Sequence, residues 1–317
     1  MTSAKVLNDK LVWDRDGRVW PNRELSRFVD AGGLKWHVQV AGSGPVMLLI
    51  HGTAAATHSW GGVLPLLAKR FTVVAPDLPG HGFTSTPDPE ALCLPAMADG
   101  VGALMRRLDL RPELVVGHSA GAAILARMCL DGLIRPRLLI SLSGALLPLR
   151  GLPGKWFSPA AKLMARNSFL PRFFASGSKK DPKGVQRLVD GTGSALRPEG
   201  VELYRLLISS PGHLAAALNM MANWDLVPLQ QDLPRLEPEL VLVAFANDKT
   251  VPPDEAERVK RLMPNARLRI IGGYGHLAHE ENPAAIAELL FEEADNALGP
   301  DGPKANTGGA RPISHSG

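Results

Sequence analysis

Apolar residues in this chain come in short bursts separated by longer, mixed stretches. Ser26 to Val40 (SRFVDAGGLKWHVQV) alternates polar and apolar around Gly32-Gly33, the pattern of a β-hairpin. Four compact runs follow: VMLLIHG from Val46, FTVVAPD from Phe71, LVVGHS from Leu114 and LLISLSG from Leu138. Each is almost continuously apolar and ends in glycine or polar residues. Strands covered on both faces read this way, because neither side alternates with solvent. Amphipathic stretches lie between them, which predicts βαβ units and an α/β fold with a mostly parallel sheet flanked by helices. Two more strand-like runs, LVLVAFA from Leu240 and ARLRIIGG from Ala266, flank a helical pattern over Pro253 to Met263.

The interval 146–225 breaks this rhythm. It opens with proline and glycine, contains no clear strand, and predicts a mainly helical insertion after the sixth strand. The organisation expected is an N-terminal extension (1–25), a core in two parts (26–145 and 226–298), the insertion between them, and a tail (299–317). The tail is rich in glycine, proline and small polar residues, the composition of disorder.

Composition narrows the class. The chain has 317 residues, 45% of them hydrophobic and 21% charged, an ordinary globular balance. Two cysteines cannot build a disulfide framework. No apolar run reaches the roughly 18 residues of a membrane span, and the charged N-terminus does not read as a secretory signal. A cytoplasmic setting is expected, with peripheral membrane contact through the insertion as an alternative. The formal charge of +4 suggests nucleic acid only weakly, and no nucleic-acid motif is present. Counting relocates that charge: residues 146–225 hold eleven Lys/Arg against five Asp/Glu, so the remainder is slightly acidic.

The chemistry concentrates at Gly117-His118-Ser119-Ala120-Gly121. This is G-x-S-x-G between a strand-like run and a helix-like one, the context of a nucleophile elbow. A serine hydroxyl needs a base, and the base needs an orienting acid. Asp248 follows the Leu240 strand and His276 follows the next, so both fall at strand carboxyl ends with Ser119, in the order Ser, acid, His. Asp77 and Asp225 are rival acids; Asp77 follows the wrong strand, and Asp225 is expected in the insertion's exit helix. The oxyanion donors expected are the N–H groups of Thr53 and Ala120, with Ala54 as the alternative to Thr53. His58, Trp60 and His118 are candidate substrate contacts, together with Trp156 and Phe157 of the insertion. His81 is expected in a structural turn. The His276-to-Glu280 stretch lacks the H-E-x-x-H order, so no metal or cofactor is expected.

HGTAAATHSW, VVAPDLPGHGFTS, VVGHSAGAAILARMCLDG, ANDKTVPP and YGHLAHEENP resemble the loops of the α/β-hydrolase fold superfamily. Within it, WDRDGRVWPNRELSRFV, GHSAGAAILARMCLDG and MMANWDL are similar to the BchO-type magnesium chelatase accessory branch of bacteriochlorophyll biosynthesis. The resemblance implies a role near magnesium insertion into a porphyrin, and association with the chelatase, without implying a defined reaction. A serine nucleophile argues against dehalogenase or epoxide hydrolase chemistry. In this fold the insertion is a cap over the site. Its Trp156, Phe157, Phe169, Phe173 and Phe174 and its many cations suit a porphyrin-like or other carboxylate-bearing small molecule, or an anionic membrane. Three functions stand open: a serine hydrolase of ester, thioester or related acyl bonds, a porphyrin-binding or delivery protein, and a membrane-peripheral assembly partner.

Overall fold

A computed structural model describes residues 7, 9–148, 175–176 and 181–299. The expected strands all form. They are β1 (Ser26–Ala31), β2 (Leu34–Ala41), β3 (Val46–Ile50), β4 (Thr72–Pro76), β5 (Leu114–His118), β6 (Leu138–Leu142), β7 (Glu239–Phe245) and β8 (Arg267–Ile271). One eight-stranded sheet results, in the order β1-β2-β4-β3-β5-β6-β7-β8. The β1–β2 and β2–β4 pairings are antiparallel; every other pair is parallel. The hairpin turns at Gly32 and Gly33, both at positive φ, where a β-carbon is disfavoured.

Helices cover both faces. They are α1 (Leu94–Leu108), α2 (Ala120–Leu130), α6 (Pro253–Leu262) between β7 and β8, and α7 (Pro283–Leu298), while α3 (Pro182–Gly191), α4 (Pro198–Ile208) and α5 (Pro211–Ala222) follow one another between β6 and β7. β5 and β6 are buried along their whole length, as their continuous apolar runs require. Two large apolar clusters sandwich the sheet. One packs α1 and α2 on Leu48, Val74, Val115 and Leu139. The other packs α7 on Met47, Val73, Val116 and Ile140. Alternate residues of each strand therefore face opposite clusters, as the two-residue period demands.

Trp156, Phe157, Phe169, Phe173 and Phe174 lie outside the described residues, as does the tail beyond residue 299. Asp225 departs from expectation. It sits in the loop after α5, and its Oδ1 accepts the Val227 N–H at 2.9 Å. A short acidic side chain that captures a backbone donor at the start of the next helix (Val227–Asp232) favours a turn over a continued helix.

Candidate active site

Ser119 joins β5 to α2 with φ 53° and ψ −118°, a backbone strained for any residue with a β-carbon. Its N–H donates to Leu142 O at 3.0 Å, and its carbonyl accepts from Ala122 and Ala145. The flanking glycines are demanded by contact. A β-carbon on Gly121 would lie 2.2 Å from Ile50 O, and one on Gly117 would lie 2.4 Å from Ala122 N. The G-x-S-x-G spacing is thus the local price of a sharp strand-to-helix turn against β3.

Asp248 and His276 meet in the loops that follow β7 and β8. His276 Nδ1 lies 2.8 Å from Asp248 Oδ2. Asp248 Oδ1 accepts the N–H groups of Thr250 and Val251, both at 2.8 Å. These three donors fix the carboxylate, and a carboxylate acceptor places the imidazole proton on Nδ1. That leaves Nε2 as the basic nitrogen. Asp248 and His276 are 5% and 6% exposed, so their interaction is little diluted by water.

His118 ties the histidine loop to the elbow. Its Nε2–H donates to the His276 carbonyl at 2.9 Å, and the two rings are 4.6 Å apart. Burial and the neighbouring His279 and His276 hold His118 well below the usual histidine range, so it is neutral.

The turn after β3 faces the elbow. A β-carbon on Gly52 would come within 3.0 Å of Ser119 Cβ. The turn closes with Ala55 N–H on Gly52 O, and Ala54 takes φ 62°. Two buried histidines hold it. His51 donates from Nδ1 to Gly52 O and accepts Leu78 N–H at Nε2. His213 of α5 donates to Ala54 O at 3.1 Å and accepts Gly82 N–H at 3.0 Å. Burial pushes His213 down to about 3, so it serves as a neutral clamp. Thr53 is half-buried and Ala120 begins α2.

Asp77 occupies a different place. It accepts from Thr57 N, Phe83 N and His37 Nδ1 at 2.7–2.8 Å. Burial alone would raise its pKa, but His37 and the Phe83 N–H outweigh that and keep the carboxyl well below the usual range. Asp77 thus braces the loops under the site, away from His276. His81 is buried in the neighbouring turn with Nδ1 3.0 Å from Pro79 O. His58 is 5% exposed, and Trp60 is fully buried against His279.

Sequence reading missed one element. Thr192–Ala195, just after α3, threads between the acid and histidine loops. Thr192 O accepts Lys249 N–H at 3.1 Å and His276 N–H at 3.4 Å. Ser194 Oγ accepts Leu277 N–H at 2.8 Å. Glu281 joins in, accepting from Gly275 N and Ala195 N. The only signal was glycine spacing in GTGS, which many loops share.

Residues 47–289 match the family model described as "Alpha/beta hydrolase family". The chain is 36% identical over 279 residues to the magnesium-chelatase 30 kDa subunit of Rhodobacter capsulatus, covering 86% of this chain and 95% of that one. Its fold is similar to a meta-cleavage product hydrolase from Pseudomonas fluorescens (TM-score 0.70, 21% identity, 87% and 100% covered). It is also similar to a thermophilic esterase from Thermogutta terrifontis (TM-score 0.68, 23% identity, 86% and 98% covered).

Proposed function

The chain belongs to the alpha/beta hydrolase family, and from that premise we propose that it is a serine hydrolase of an ester, thioester or related acyl bond that serves as an accessory factor at the magnesium chelatase step. The observation that carries the hydrolase reading is the 2.8 Å bond between Asp248 and His276, beside a serine in strained elbow geometry. Ser119 Oγ attacks the acyl carbonyl while His276 Nε2 takes its proton. Asp248 holds the tautomer and stabilises the imidazolium. The N–H groups of Thr53 and Ala120 receive the oxyanion. Collapse expels the alcohol or thiol, protonated by His276. Water, deprotonated by the same nitrogen, then attacks the acyl-enzyme and releases the acid. The segment between β6 and β7 acts as the cap.

A fluorophosphonate probe should label Ser119 in the intact protein, and Ser119→Ala should abolish both labelling and ester hydrolysis. An intact protein that is never labelled would overturn this reading.

One observation favours a second reading. The Rhodobacter capsulatus relative is named as a magnesium-chelatase subunit, which supports a chelatase-associated role that needs no hydrolysis, such as holding or delivering porphyrin. Pigment analysis of a deletion strain separates the two. Full rescue by Ser119→Ala supports the non-catalytic role; rescue by wild type alone supports catalysis.

A further inference from the structure

A second group of polar side chains lies against the triad histidine and takes no part in the steps above. His58, in the short turn Thr57–Trp60, and His279, in Ala278–Glu281, are 5% and 1% exposed. Among the described residues, neither ring nitrogen of either histidine has a hydrogen-bond partner. Tyr204 of α4 sits edge-on to His58 at 4.7 Å, and its hydroxyl donates to Glu280 Oε1 at 2.6 Å. Glu280 Oε1 is 3.8 Å from His279 Nε2, too far to bond. Trp60 lies 4.7 Å from His279, and its indole N–H is also without a partner among the described residues. His118 lies between His279 and His276, with ring centroids 4.5 and 4.6 Å away and the planes tilted. The group is therefore contiguous and touches the catalytic constellation.

Each buried polar atom without a partner is costly, because it gives up hydrogen bonds to water and gains none in return. Gathering four such ring nitrogens and an indole N–H in one place is an arrangement that structural packing avoids and recognition sites use. Their charge state narrows what they recognise. Burial, reinforced by neighbouring histidines, pushes His58 and His279 down to about 3, so both rings are neutral near pH 7. Burial pushes Glu280 up to about 8, so its carboxyl keeps its proton. Each neutral imidazole offers one donor and one acceptor, and a protonated carboxyl adds another donor. The charges that act on His58, His279 and Glu280 come from other histidines and from Asp77 and Glu281. Among the described residues, an anionic group would find no cation at these side chains, and a hydrocarbon would leave every donor unpaired.

We propose that His58, His279, Glu280 and Trp60 form a recognition subsite for an uncharged oxygen function, a carbonyl or hydroxyl, carried by the substrate near its scissile bond. The location of that bond rests on the serine-hydrolase reading; the existence of the subsite does not. Tyr204 orients Glu280 and closes the group from the α4 side.

The test uses the wild-type chain labelled with ¹⁵N-histidine, its ring signals assigned by through-bond correlation. At pH 7, 2-heptanone should shift the His58 and His279 ring nitrogens, whereas heptane and hexanoate should not. Hydrolysis supplies a second readout: p-nitrophenyl 4-oxopentanoate should exceed p-nitrophenyl pentanoate in kcat/KM by about 10-fold or more. His279→Phe should bring that ratio towards unity. No ketone-specific shift overturns the subsite whether or not esters are cleaved, and an equal shift with hexanoate overturns its neutral class. A ketone-specific shift in a protein whose Ser119 resists fluorophosphonate upholds the subsite and removes only the hydrolase reading.

Discussion

Asp248 shows how much one side chain controls. Its Oδ1 is held by two backbone donors, so only Oδ2 is free to accept from His276. Asp248→Asn keeps the volume but presents an amide where the imidazole donates, and favours the opposite tautomer. We expect kcat for ester hydrolysis to drop about 10⁴-fold, with KM changed far less. Steady-state kinetics on a p-nitrophenyl ester checks this. The positions of Ser119, Asp248 and His276 were legible in the sequence because a G-x-S-x-G turn and polar residues just past strand ends leave a linear trace. The tasks of His51, His118 and His213 were not legible. Each is a neutral histidine whose partner is a backbone group, 158 residues away in sequence for His118 and His276, and such pairings leave no motif.

The element most exposed to a single change is Thr192–Ala195. Gly193 has φ 83°, and a β-carbon there would lie 1.9 Å from Asn247 O. Gly275 opposes it, with its own β-carbon position 2.3 Å from Gly193 C. Backbone meets backbone on both sides, so neither neighbour can swing away as a side chain would. Gly193→Ala should push this segment off the acid and histidine loops. We expect a loss of about 1–3 kcal/mol from the backbone conformation alone, with steric cost added. Activity should fall at least about 10-fold. Urea unfolding and ester kinetics, compared with Gly191→Ala, provide the measurement. Nothing lies within 4 Å of a β-carbon at Gly191, so that control should be nearly silent. At this scale the strands were legible because their apolar runs are unbroken and β5 and β6 are buried on both faces. Among the described residues, α3, α4 and α5 between β6 and β7 are helical, but Asp225 lies outside them, because periodicity does not reveal a side chain that ends a helix.

For the whole molecule, buried histidines set a pH profile. His58, His213 and His279 are each pushed from 6.5 to about 3 in the folded chain. Between those values the unfolded chain binds the proton and the native chain does not. Stability therefore falls as pH drops from 6.5 towards 3, by up to about 1.4 kcal/mol per histidine per pH unit. Glu280 acts in the opposite sense. Its folded pKa is raised from 4.5 to about 8, so its contribution is complete below 4.5 and lost as pH rises through 8. Urea midpoints across pH 3–8 should show the acid limb. Glu280→Gln should steepen the rise in stability between pH 4.5 and 6.5 and remove the fall between 6.5 and 8 relative to wild type, while leaving the limb below 4.5 in place. Among the described residues, no helix is long and apolar enough to cross a membrane.

The sequence by itself determined the burial pattern of the strands, the G-x-S-x-G turn and the order of Ser119, Asp248 and His276 at strand ends. These properties are local: apolar periodicity, glycine where backbones collide, and polar residues just past strand ends. Tertiary structure decided the rest. It brought Asp248, which the strand order had favoured over Asp77, into hydrogen-bond reach of His276, because β7 packs beside β8. It also gathered His58, Tyr204, His279 and Glu280 from three separate segments and removed them from water. Burial depends on what the fold brings overhead, and that is a property no stretch of chain carries alone.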